Sequence, residues 1–240
     1  MRLDKFLVMQ GFYETRSKAQ NAIYANLIKV NNIIVNKVNY AVQTNDQIIK
    51  INSVEYVSRG AYKLLTAIQT WKINFNNQVV LDVGASTGGF TDVAIKNGAR
   101  YVYAIDVGTN QLHHSLMKNS KVKSIENKHL KNLSLDLFQH HIDIIVADLS
   151  FISLTKLIDK LINLFNHSYQ CIFLIKPEFE LSPQEIKKGK VNNVKLLDKA
   201  VNKIKKYAID HGFKIIGIIP SSIKGKKAQN IEYLIYMEKK

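Results

Sequence analysis

Acidic residues are scarce in this chain. Nineteen Asp and Glu stand against 34 Lys and Arg, a formal charge of +15. That imbalance favours polyanionic partners, nucleic acid or anionic lipid, without choosing between them. Cysteine is all but absent: Cys171 stands alone, which excludes a disulfide framework and a cysteine zinc cluster. Its place in the apolar run CIFLIKP marks it as a buried strand residue. The seven histidines are scattered, and the pairs His113-His114 and His140-His141 point in different directions on any regular element, so no metal site is expected. No run approaches 18 consecutive apolar residues, and MRLDKFLVMQGFYETR lacks a signal-peptide core and cleavage site. A cytoplasmic protein with no membrane partner is the expectation. What is present is 240 residues with 46% hydrophobic content, enough for one large domain and a small one.

Residues 1–57 read as the small one. RLDKFLVMQGF places Leu3, Phe6, Leu7 and Met9 at helical spacing and stops at Gly11. ETRSKAQNAIYANLIKV restarts that spacing through Ala19, Ala22 and Ile23, with Thr15 as N-cap and Asn26 suited to a left-handed end. Short alternating runs follow, with Asn31-Asn32 and Asn45-Asp46 as turn signals. Two helices and a small sheet result. The order RLDKFL, TRSKA, KVNNIIVN resembles the S4 RNA-binding domain. That resemblance puts Arg2, Lys5, Arg16 and Lys18 where the family presents basic side chains to structured RNA. Seven Lys and Arg against four acids in residues 1–57 agree with it.

Residues 58–240 alternate strand and helix. VVLDVG, YVYAID, VKSIE, IDIIVAD and CIFLIKP are five apolar runs separated by helical stretches, the pattern of a doubly wound, Rossmann-like α/β sheet. Helix 194–209 shows a core stripe of Val194, Leu197, Val201, Ile204 and Ala208, with Lys195, Lys199, Lys203 and Lys206 outward. FKIIGIIP and NIEYLIYME, joined by a short connection, are expected to pair antiparallel.

The run VVLDVGASTGGFTD delivers Asp82 and then a loop of Gly84, Ala85, Ser86, Gly88, Gly89 and Phe90. In a doubly wound sheet such a loop admits a nucleotide-like ligand. The next strand ends in Asp106, where an acid accepts bonds from both ribose hydroxyls. Dinucleotides and S-adenosylmethionine both fit. The spacing departs from G-x-G-x-x-G, and the closing antiparallel pair favours S-adenosylmethionine, with Asp82 set to neutralise its amino group. Around the same sheet edge come Lys63 in SRGAYKL, Asp148 in ADLSFISL, Lys176 in LIKPEFE and Glu232 in NIEYL. Two lysines and two acids about one pocket shift one another's pKa and support proton removal from an alcohol.

LDVGASTGGFTD, YAIDVG, ADLSFISL and LIKPEFE resemble the hemolysin-A-type (TlyA) ribosomal RNA methyltransferases, and the Lys-Asp-Lys-Glu set resembles that of the wider FtsJ-like 2′-O-ribose methyltransferases. The resemblance implies transfer of a methyl group to the 2′-hydroxyl of a cytidine in ribosomal RNA. It makes Lys63, Asp148, Lys176 and Glu232 catalytic, adds Glu126 of IENKHLK and Asp148 to the cofactor residues, and adds Arg59 to those facing RNA. Departures are Ala61 for a second glycine, His129 and Lys131 for Asn and Arg, and Asn192-Asn193 for Arg-Asp; the loop KGKKAQNIE is one residue longer. Two other functions compete with this one: a ribosome-assembly factor with an inactive methyltransferase fold, and a membrane-active hemolysin. Neither the modified nucleotide nor the oligomeric state follows from sequence.

Overall fold

The computed structural model describes residues 1–24, 26–51, 56–186, 189–191, 193–225 and 229–240. Among the sequence-based readings, Asn192 and parts of the loops KKGKVNN and KGKKAQNIE lie outside the described residues.

Near the N-terminus, α1 (Leu3–Met9) is followed by Gly11 at φ 72°, and α2 (Arg16–Tyr24) starts where Thr15 Oγ1 accepts the Lys18 N–H at 3.2 Å. Asn26 takes φ 61° after it, the left-handed stop that a short polar side chain tolerates. Strands β1 (Ile28–Val30) and β2 (Ile33–Ile34) turn through Asn31 and Asn32, both at positive φ. Such a turn matches the twist of a hairpin. Strand β3 (Ile48–Lys50) completes the antiparallel order β2-β1-β3. Leu3, Leu7, Ala19, Ile23, Ile28 and Val30 fill a core of their own.

The rest forms a seven-stranded sheet. Its elements are α3 (Ala61–Trp71), β4 (Val79–Val83), α4 (Gly89–Lys96), β5 (Tyr101–Ile105), α5 (His114–Met117) and β6 (Val122–Ile125). They continue with β7 (Ile144–Ala147), α6 (Leu154–Leu164), β8 (Tyr169–Ile175), α7 (Pro177–Glu180), α8 (Val194–Asp210), β9 (Phe213–Pro220) and β10 (Tyr233–Lys239). The strand order is β6-β5-β4-β7-β8-β10-β9; β10 runs antiparallel between β8 and β9, as the short connection implies. Side chains alternate faces along each strand. Val79, Leu81, Ile145, Ala147, Cys171 and Phe173 pack under α6 and α8. Val80, Val102, Ile144, Ile172, Leu174 and Leu234 pack under α3, α4 and α5.

One expected stripe needs correction. On α8 the buried residues are Leu197, Ala200, Ile204 and Ala208, while Val194 is exposed and Val201 half-buried. Val194 lies in the first turn, immediately after the Asn193 cap that accepts the Lys195 N–H at 2.9 Å. The core stripe begins one turn further on.

Candidate active site

The alternation that builds the two cores also builds the site. In β4, β5, β7, β8 and β10 the residues on the α3 side carry even numbers. One step beyond the ends of β5, β7 and β8 the same parity brings Asp106, Asp148 and Lys176; one step before β10 it brings Glu232; within β4 it gives Asp82. These are the carboxyl ends of the parallel strands, and the chain order reverses beside β4, where a doubly wound sheet opens a crevice. A cavity of about 700 Å³ lies there, lined by Asp82, Asp148, Lys176, Glu232, Lys63 and the glycine loop.

The glycine loop approaches its neighbours closely. Gly84 stands at φ 83°, and a Cβ there would lie 2.9 Å from Leu149 Cδ2 and 3.3 Å from the Asp148 carbonyl oxygen. At Gly89 a Cβ would come within 2.4 Å of Ser58 Oγ and 2.9 Å of the Ala61 nitrogen, so the segment leading into α3 lies against the start of α4. Ala85, Ser86 and Phe90 line the cavity, and Gly88 caps α4.

Asp82 is buried, and its Oδ2 accepts the Thr91 hydroxyl at 2.7 Å; its Oδ1 is buried with no hydrogen-bond partner among the described residues. Burial pushes its pKa up to about 7, only partly opposed by the bonds from Thr91. An orphaned carboxylate oxygen at the wall of a cavity is what the ammonium of a methionine group requires. The residues present therefore fit S-adenosylmethionine. Asp106 sits outside the cavity lining and accepts the Ser86 N–H at 2.7 Å and the Gly108 N–H at 2.8 Å. Each oxygen keeps a lone pair for a ribose hydroxyl. Glu126, also outside the lining, accepts the backbone N–H groups of Asn110 and Gln111 at 2.7 and 2.9 Å, which hold its pKa below the ordinary value. Its visible work is to order that loop.

Lys63, Asp148, Lys176 and Glu232 meet in a line of alternating charge. Lys176 Nζ lies 2.6 Å from Asp148 Oδ1, Lys63 Nζ is 3.1 Å from Asp148 Oδ2, and Lys63 Nζ is 2.7 Å from Glu232 Oε2. Lys176 also donates to Ser150 Oγ at 2.8 Å. Burial works against the Lys63 charge, but Asp148 and Glu232 outweigh it and hold the ammonium above its usual pKa. At Asp148 burial is likewise outweighed, here by Lys63 and Lys176, and the carboxyl is held low. Glu232 goes the other way: burial raises it, with Lys63 offsetting only part.

Of the proposed RNA-facing residues, all but Arg59 lie elsewhere. Arg2, Lys5, Arg16 and Lys18 are all exposed on α1 and α2 or beside them, and Arg59 lines the cavity. Asp4 went unnoticed in the sequence. Its fully buried carboxylate receives Arg2 Nε at 3.0 Å, Arg16 Nε at 2.7 Å and Gln20 Nε2 at 2.7 Å. Phe151 was missed as well: it stands at φ 66°, 82% exposed, on the cavity wall with its ring 5.2 Å from that of Phe179. A large aromatic in the loop just after Asp148 was the available signal.

The S4 domain family matches residues 1–48 and the FtsJ-like methyltransferase family matches residues 56–239. The chain is 40% identical to a protein named hemolysin A from Brachyspira hyodysenteriae, over 98% of this chain and 99% of that one. It is 31% identical to the 16S/23S rRNA (cytidine-2′-O)-methyltransferase TlyA of Mycobacterium tuberculosis, over 98% and 89% of the two chains. A solved structure from Streptococcus thermophilus, named as a hemolysin, superposes with a TM-score of 0.76 at 33% identity, covering 100% of this chain and 88% of that one. Among the described residues no helix is long and apolar enough to cross a membrane.

Proposed function

The chain belongs to the FtsJ-like methyltransferase family and carries an S4 domain ahead of that fold, and from this we propose that it methylates the ribose 2′-hydroxyl of a cytidine in ribosomal RNA, using S-adenosylmethionine. The proposal includes a division of the chain at residue 57 and a ribosomal subunit in the cytoplasm as the partner. One observation carries it: the line Lys176–Asp148–Lys63–Glu232 beside the glycine loop.

S-adenosylmethionine, when bound, supplies a methyl group already activated on a sulfonium. Asp82 would hold its ammonium and Asp106 its ribose hydroxyls, with the glycine loop allowing close backbone approach. What the enzyme adds is largely position, because a near-attack geometry is the scarce element. Lys63, clamped between two carboxylates, stays an ammonium and serves as a fixed positive charge that with Glu232 orients the substrate ribose. Lys176 is bound to one carboxylate and one hydroxyl at the cavity wall. We assign it to the acceptor oxygen, where it would take or steer the 2′-hydroxyl proton while the methyl passes from sulfur to oxygen and S-adenosylhomocysteine departs. Asp148 fixes Lys176, and its negative charge would favour the cofactor's sulfonium. Phe151 offers a face on which the target base can stack.

Isolated small and large ribosomal subunits incubated with the protein and methyl-labelled cofactor should yield labelled 2′-O-methylcytidine after digestion to nucleosides. Label on a base, or none, sinks the reading.

A further inference from the structure

A second cavity, of about 370 Å³, opens between the N-terminal unit and α3. Tyr24, Tyr56 and Tyr62 supply its aromatic wall, and the Tyr56 and Tyr62 rings meet edge to face at 5.6 Å. Thr66 and Ser222 bond to each other at 2.7 Å and both bond to the Tyr62 carbonyl oxygen, so those hydroxyls are engaged. The carboxamides of Asn26 and Gln69 are not: both residues line the cavity and are exposed, and neither side chain hydrogen-bonds to a described residue. Cations stand over the rings. The Arg59 guanidinium lies 5.4 Å from the Tyr24 centroid and Lys96 Nζ lies 4.8 Å from that of Tyr56. Arg59 also lines the catalytic cavity, so one side chain joins that cavity to the Tyr24 ring.

We propose that this seam holds a second, unpaired nucleotide of the RNA substrate, its base against the tyrosines and its edge hydrogen-bonded by Asn26 and Gln69. The inference rests on RNA being the substrate. Aromatic faces, carboxamides with both donors and acceptors, and a rim of cations are the parts from which single-stranded bases are recognised. An RNA strand leaving the catalytic cavity past Arg59 meets this pocket next. The seam would thus set which nucleotide is presented to Lys176 by gripping a neighbour of it.

Three measurements test this on the full-length protein with isolated subunits. A photoreactive benzophenone amino acid at position 69 should crosslink to one ribosomal RNA nucleotide close in space to the methylated one, mapped by reverse-transcription stops. Gln69→Leu, at an exposed position, should raise KM for the subunit about 2- to 10-fold, the worth of a neutral hydrogen bond, while leaving kcat and the affinity for S-adenosylhomocysteine unchanged. Tyr24→Ala should lose about 5- to 150-fold in RNA affinity, the range of one base–aromatic stack, and an unchanged affinity would count against the pocket. Scattered or absent crosslinks, crosslinking to a ribosomal protein instead, or a wild-type KM for Gln69→Leu would overturn the pocket. If the wild-type protein transferred no methyl to a ribose, the functional reading would fail by itself, whatever the crosslink showed.

Discussion

Asp82 ties cofactor binding to pH. Its pKa is raised from an ordinary 3.8 to about 7, so the ligand-free protein carries it mostly neutral at pH 6 and mostly charged at pH 8. An ammonium requires the charged form, and affinity for S-adenosylhomocysteine should rise about tenfold across that interval. Calorimetry at the two pH values checks this, and Asp82→Asn should flatten the dependence while weakening binding. The sign for stability is opposite. A carboxyl raised on folding contributes fully below pH 3.8 and its contribution is lost as pH climbs through 7, so Asp82→Asn should stabilise the ligand-free protein at pH 8 by roughly 1–4 kcal/mol and do little at pH 4. Lys176 behaves differently. Lys176→Ala should leave cofactor affinity intact and reduce single-turnover methylation to background; Lys176→Arg should fare nearly as badly, since a guanidinium keeps its proton and cannot reproduce a point charge. A near-normal rate for either variant would remove the assignment.

Individual elements explain how much was readable beforehand. Asp148 and Lys176 declared themselves because each directly follows an apolar strand run, and Asp82 because it interrupts one just before the glycine loop; a period of two then fixes the face they share. Glu232 needed one more inference, that β10 runs backwards. Asp4 could not be found that way. It reads as an ordinary acid in the first turn of α1, and its partners Arg16 and Gln20 stand 12 and 16 residues later on α2, a separation that no helical period connects. Phe151 showed in the sequence only as an aromatic after Asp148, since nothing in ADLSFISL forecasts the positive φ that sets it on the cavity wall. Asp4 supports a prediction at this scale. Burial opposes its charge, but the bonds from Gln20, Arg2 and Arg16 outweigh it and hold the carboxyl well below the ordinary range. Its stabilising contribution is therefore present at neutral pH and is lost as pH falls below the unfolded value. Asp4→Asn should loosen the α1–α2 pair by roughly 1–3 kcal/mol at pH 7, the worth of hydrogen bonds to a charged group, and the deficit in melting temperature should shrink toward pH 3.

For the whole molecule, the charge is unevenly spread. Residues 182–240 carry 14 Lys and five acids, so the catalytic half has a basic surface of its own. A chain starting at Val57 should retain cofactor binding and a weak, steeply salt-dependent affinity for RNA, and should lose methylation of the specific site. If it modified the same nucleotide at a comparable rate, the N-terminal unit would not be the targeting element. The hydrophobic cores divide as sharply as the charge does. One holds residues between Leu3 and Ile48, and the two flanking the large sheet draw only on residues from Tyr56 onward. Heat should therefore dismantle the protein in two steps. In a scanning calorimeter, saturating S-adenosylhomocysteine at a hundred times its Kd should add about 2.7 kcal/mol to one transition and leave the other where it was, which would make any single melting temperature quoted for this protein an average over two independent events.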